Sequence, residues 1–167
     1  DTPVTPDIPD TNEIVYCKNA GLSSTDGQET VSTTRIATDF IPVTISGTLS
    51  ICSKSTEKYS YLVRYYDANK VFIGVGKGQW SLDGGIESFS ADNKKVNFIR
   101  LVYKSNKNDN EVINTISGTI EIEEDGKPKT LKMEYEGDST LHVTGISLNT
   151  NTLTIDNIGG TYTLGYT

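Results

Sequence analysis

Arg64 and Arg100 each stand among apolar residues at strand spacing, Tyr66 follows Arg64 by two places, and Trp80, the single tryptophan, lies in a Gly-rich polar stretch. Planar guanidinium groups grip hydroxyls and carboxylates through paired N–H donors. Aromatic rings offer a flat apolar surface on which the apolar face of a pyranose stacks. Trp80, Tyr66, Arg64 and Arg100 are therefore the residues expected to build a sugar-binding face. Each has a plainer alternative. A large aromatic such as Trp80 also serves as the cap of a sandwich core, and each Arg would also lie along a sheet surface paired with a nearby acid.

Three carboxylates, Asp83, Glu87 and Asp92, cluster in one loop region. Two carboxylates suffice for glycoside hydrolysis, and oxygen ligands of this kind suit calcium, although the dense Asp/Asn/Gly period of an EF-hand is missing. Calcium is the one metal these residues would take; no other cofactor is expected. His142 is the only histidine, and no Ser or Cys has the surroundings of a catalytic triad or nucleophile elbow. The chain is accordingly read as non-catalytic. Cys17 and Cys52 are the only cysteines; they either form one disulfide, as an exported protein permits, or are two buried small hydrophobes. Their spacing is not that of a zinc site.

A net charge of -7 argues against nucleic acid, because an acidic surface repels phosphates. No stretch approaches the roughly 20 apolar residues that cross a bilayer, and Asp1-Thr2-Pro3-Val4-Thr5-Pro6 lacks the basic and apolar blocks of a signal peptide. No membrane insertion is expected.

Strands must position these residues. Gly, Thr and Ser are plentiful, and nowhere do apolar residues recur at helical spacing over two turns. Residues 1–12, repeating Thr, Pro and Asp, read as a semi-rigid linker. Glu13 to Cys17 reads as a first strand and Gly21 to Gly27 as a polar loop. From Pro42, the alternation of Val43, Ile45, Gly47, Leu49 and Ile51 predicts one half-buried strand, bent at Gly47. Tyr59 to Tyr66 and Val71 to Val75 form a hairpin through Asp67-Ala68-Asn69-Lys70. Residues 74–94 supply a long loop or an edge strand, and Val96 to Tyr103 returns to strand. Its face opposite Ile99, Leu101 and Tyr103 carries Val96, Phe98, Arg100 and Val102, as Tyr59 to Tyr66 carries Ser60, Leu62, Arg64 and Tyr66. Ile116, Ile120 and Ile122 then turn at Asp125-Gly126 into Leu131, Met133 and Tyr135, a second hairpin.

The last stretch carries Val143-x-Gly145-Ile146-x-Leu148, Thr152-Leu153-Thr154 and Gly159-Gly160-x-Tyr162-x-Leu164. It is similar to the start of the group 2 bacterial immunoglobulin-like (Big2) repeat. That resemblance implies three opening strands of an Ig-like sandwich, a virion or bacterial-surface setting, and a longer parent chain or a neighbouring subunit that covers Ile146, Leu148, Leu153, Ile155, Tyr162 and Leu164. Residues 30–104 resemble jelly-roll modules of carbohydrate-binding type in phage tail and bacterial surface proteins. The resemblance rests on Thr34 to Val43, Tyr65-Tyr66-Asp67-x-x-Lys70-x-Phe72-Ile73-Gly74 and Phe98-Ile99-Arg100-Leu101.

The expected organisation is therefore a linker over 1–12, an antiparallel, jelly-roll-like β-sandwich over 13–140, and a partial Ig-like sandwich over 141–167. The expected function is adhesion to a cell-surface glycan, without catalysis. The alternative is a structural or assembly module that binds only protein neighbours in a larger assembly.

Overall fold

The computed structural model describes residues 13–76, 79–90 and 95–137, and the backbone of 145–149, 152–157 and 160–165. The chain is all-β and sandwich-like. The first strands are β1 (Ile14–Asn19), β2 (Gly21–Leu22), β3 (Glu29–Thr30), β4 (Ile36–Thr38) and β5 (Ile41–Pro42), followed by β6 (Thr48–Ser55), β7 (Tyr59–Tyr66) and β8 (Phe72–Val75). Next come β9 (Ser81–Leu82), β10 (Ile86–Ser90), β11 (Phe98–Ser105), β12 (Ser117–Glu124) and β13 (Lys127–Tyr135). Eleven of these strands share one sheet in the order β10-β6-β12-β13-β1-β4-β11-β7-β8, with β5 beside β11 and β9 beside β7.

The sheet curls so that its two wings face each other. Ser53 on β6 hydrogen-bonds Tyr103 on β11 at 2.9 Å, the Tyr61 hydroxyl on β7 donates to the Ile51 carbonyl at 3.3 Å, and Tyr65 stacks on Phe89 of β10 with centroids 4.3 Å apart. Leu49, Ile51, Tyr61, Val63, Ile99, Leu101, Ile120 and Ile122 fill the space between. Burial pushes the Tyr61 hydroxyl pKa up to about 12. Gly76 lies where the wings meet, and a Cβ there would overlap the Glu87 carboxylate.

Pairing is antiparallel throughout the described residues except at one place, where β1 runs parallel to β13, Val15 opposite Met133. The sheet is thus mixed and continuous, where two separate antiparallel sheets are expected from the alternation alone. β1 joins the wings, because its other edge pairs antiparallel with β4.

Local chemistry explains the two long hairpins. The Asp67 carboxylate accepts the amides of Asn69 at 2.8 Å and Val71 at 2.9 Å, and Lys70 takes a left-handed φ of 59° to finish the turn. Between β12 and β13, Asp125 and Gly126 have φ of 48° and 80°, as a two-residue hairpin requires.

The stretch after Pro42 departs from the expected single strand. β5 ends at Pro42 and β6 begins at Thr48. Between them the backbone bonds to carboxylates of the β12–β13 turn: Thr44 N–H to Glu124 at 3.0 Å, Ser46 N–H and Thr48 N–H to Asp125 at 3.3 and 2.9 Å. Val43 and Ile45 still pack on the core, which is why they alternate in sequence without a strand partner.

Three further strands, β14 (Gly145–Asn149), β15 (Thr152–Asn157) and β16 (Gly160–Gly165), form a separate antiparallel sheet in sequence order. They fall where three strands are expected between residues 143 and 164. The expected linker at 1–12, His142, and the side chains of the final strands lie outside the described residues.

Candidate functional site

β7 and β11 present their second faces away from the core, and residue-by-residue pairing sets Arg64 directly opposite Arg100 and Tyr66 opposite Phe98. Tyr66, Arg64 and Arg100 therefore come together, as the strand periodicity predicts. Val96 does not join them; it precedes β11 and belongs to the main core.

The three are not open to solvent along their length. The segment from Ala20 to Thr30, of which Gly21 to Gly27 reads from sequence as a polar loop, contains the β2–β3 pair and covers this face. Leu22 and Ala20 bury themselves on Ala37 and Val102. The Tyr66 hydroxyl donates to the Gly27 carbonyl at 2.9 Å, Arg64 Nη2 to the Leu22 carbonyl at 3.3 Å, and Arg100 Nη2 to Glu29 Oε1 at 2.6 Å. Arg100 Nε also donates to the Thr38 carbonyl at 2.7 Å. The guanidinium groups thus anchor the covering hairpin, close to the alternative reading in which each Arg pairs along the sheet.

Burial leaves an electrostatic mark. Desolvation lowers the Arg64 pKa from its usual value. Burial raises that of Tyr66, against the pull of Arg100 and Arg64. Burial acts to raise the Glu29 pKa, but hydrogen bonds from Lys18 and Arg100 outweigh it and hold the carboxyl below its ordinary range.

At the Tyr66 end the cover stops and an open cleft of ≈ 660 Å³ begins, within the span of about 300–1,000 Å³ usual for small-ligand sites. Its aromatic wall is a run of edge-to-face rings: Phe40 lies 4.9 Å from Tyr66, and Tyr66 lies 5.9 Å from Phe72. The polar wall carries Asp26, Gln28, Glu29, Lys70 and Arg100.

Phe40 reaches this face through a break in the strand. Ile36 and Ile41 both enter the core although simple alternation would put them on opposite faces. Residues 39 and 40 lie between β4 and β5, and this irregularity resets the alternation. Gly27 has φ of +69°, and a Cβ there would meet Phe72 at 2.6 Å, so the aromatic wall demands glycine at the hairpin tip.

Trp80 is placed elsewhere. It packs, partly buried, against the small outer cluster of Ala20, Leu22, Ala37 and Val102. Ser60, at the Trp80 end of β7, is roughly 20 Å along the strand from Tyr66. It caps the outer face and not the main core. Arg35 and Lys104 approach its ring, at 5.5 and 4.8 Å from the centroid. A smaller hollow of ≈ 360 Å³ beside it is lined by Ser60, Lys104, Asn106 and Asp109.

The remaining sequence candidates separate. Asp83 accepts the Ser55 amide at 2.6 Å, Glu87 is buried and accepts the Tyr65 hydroxyl at 3.4 Å, and Asp92 lies outside the described residues. Among the described residues no group of three His, Cys, Asp or Glu is gathered as metal ligands. Cys17 and Cys52 are both free, which corrects the disulfide reading. Cys17 faces the core from β1, whereas Cys52 lies between the core residues Ile51 and Ser53 and so points outward from β6. Burial raises the Cys17 thiol pKa to about 12, so it behaves as a small hydrophobe.

Phe40, Lys70 and Phe72 complete the cleft without having been singled out as ligand groups. Read from the sequence they have only turn and strand duties, with no ligand signal. Comparison of the chain with protein-family models, with curated proteins and with solved structures finds no match in any of the three.

Proposed function

We propose that residues 13–137 form a non-catalytic glycan-binding module of a virion or bacterial surface protein, with the ≈ 660 Å³ cleft as its sugar site. The observation that carries the reading is the partly exposed rings of Phe40 and Phe72 beside Gln28, Glu29 and Lys70 in one open cleft, with Tyr66 and Arg100 buried behind them. Rings of this kind cover the apolar face of a pyranose, and the planar polar groups take its hydroxyls. The Big2-like segment supports the surface setting. Both cleft carboxylates are held ionised by donors: the Asp26 pKa is lowered by the Ser23 hydroxyl and the Gln28 amide, and that of Glu29 by Lys18 and Arg100. A glycosidase needs one carboxyl kept protonated, so the arrangement favours holding a sugar over cleaving it.

A glycan array probed with the whole chain tests the reading. Retention is expected for the native protein and loss for Phe40→Ala, with folding checked by circular dichroism. A blank array, or undiminished retention by Phe40→Ala, would remove the cleft as the sugar site. The assembly reading draws on Leu82 and Ile86, 64% and 65% exposed on neighbouring short strands. Self-association or capture of a protein neighbour, lost on Ile86→Ser, is what that reading expects.

A further inference from the structure

Lys70 holds its ammonium at the cleft, 4.9 Å from the centroid of Phe40 and 5.4 Å from that of Phe98. Among the described residues it has no carboxylate within ion-pair distance, whereas the other cations near the cleft do or are buried. Both wall carboxylates are already engaged, Glu29 by Lys18 at 2.8 Å and Arg100 at 2.6 Å, and Asp26 by the Gln28 amide at 3.2 Å. Asp67 is turned into its own loop, on the amides of Asn69 and Val71.

Behind Tyr66 lies a second unmatched cation. Arg64 is 5% exposed, its one bond to the Leu22 carbonyl is long, and its Nε has no hydrogen-bond partner. A buried donor without a partner is costly, and Arg100 opposite it is a like charge. Lining the cleft itself, Lys70 and Arg100 stand against Asp26 and Glu29, and among the described residues Lys70 is the cation left without a carboxylate.

We infer that the glycan bound here is acidic: a sugar carboxylate pairs with the Lys70 ammonium in the cleft beside Phe40 and Phe72. The inference rests on the glycan reading of the cleft. A carboxylate is the expected anion, because the cleft already pairs one with a cation, Glu29 on Arg100.

The decisive measurement is an array of uronic and sialic acid oligosaccharides printed beside their carboxyl-reduced counterparts and beside sulfated neutral glycans. The acidic members should bind about tenfold more tightly than the reduced ones, in a salt-dependent manner. Lys70→Asn, which tolerates the left-handed φ of 59°, should bring each acidic and reduced pair to within about twofold. Equal binding of acidic and reduced forms would overturn the acidic assignment and leave the glycan reading standing. Equal binding of sulfated neutral glycans would overturn the carboxylate assignment. An array blank for every glycan would overturn both.

Discussion

The two wings of the sheet turn outer faces of opposite character away from the same core. On β6 and β12 the outward positions are Ser50, Cys52, Lys54, Glu121 and Glu123, solvated and joined by surface contacts such as Lys54 to Glu121 at 3.1 Å. On β4, β7 and β11 they are Ala37, Leu62, Arg64, Tyr66, Arg100 and Val102, most of them buried beneath the Ala20–Thr30 segment. The contrast teaches how to read an arginine in an apolar strand face. A polar face needs no cover, whereas an apolar face with an embedded guanidinium needs a cover that supplies oxygen acceptors. Here those acceptors are the Leu22 carbonyl and the Glu29 carboxylate, and the cover's end creates the cleft.

The sharpest way to break this contrast is Arg100→Met. Removing one partner of a buried hydrogen-bonded ion pair costs about 3–5 kcal/mol. Arg100 is 3% exposed but Glu29 is 39% exposed and screened by solvent, so a loss of about 2–4 kcal/mol is expected. Urea denaturation reads it; a loss below about 0.5 kcal/mol would show that the guanidinium does not hold the cover. Next is Leu22→Ala, which empties the small cluster beneath the hairpin. About 2 kcal/mol should be lost, the low end for a buried Leu because the cluster is shallow. An unchanged midpoint would mean the cover rests on its polar anchors alone.

A smaller, local effect follows from acid. The Glu29 pKa is lower folded than unfolded, so its stabilisation is complete at neutral pH and drains away as pH falls through the folded value. Below the ordinary glutamate value of 4.5 the Leu22–Thr30 amides should therefore lose hydrogen-exchange protection before the core strands do. Glu29→Gln should flatten that pH dependence, and simultaneous loss over hairpin and core would deny the hairpin a separate latch. The smallest effect belongs to the other wing: Lys54→Ala should leave the urea midpoint unmoved, since Lys54 and Glu121 are both exposed. A measurable shift there would erase the distinction between the two faces.

Much of the framework was legible because its causes are local. Asp67 and Lys70 finish one turn and Asp125-Gly126 another through their own side chains and φ angles, and both hairpins stand where the residues put them. Arg64, Tyr66 and Arg100 were legible as members of one face because strand alternation is strict. Trp80 was not placeable, since the small outer cluster, Arg35 and Lys104 reach it from separate stretches of chain.

By itself, then, the sequence determined the all-β character, the alternation that sorts Ile51 and Ser53 inward and Cys52 outward, and the turn chemistry. These depend on neighbours a few residues apart, whose geometry the backbone dictates. Only the tertiary structure decided that β1 joins the wings by running parallel to β13, that Ala20–Thr30 covers one outer face, and that Phe40 swings out to meet Tyr66. Those outcomes depend on which surfaces find each other across the chain. Register, burial and the demand of buried polar groups for partners select among pairings that the residue pattern leaves equally open.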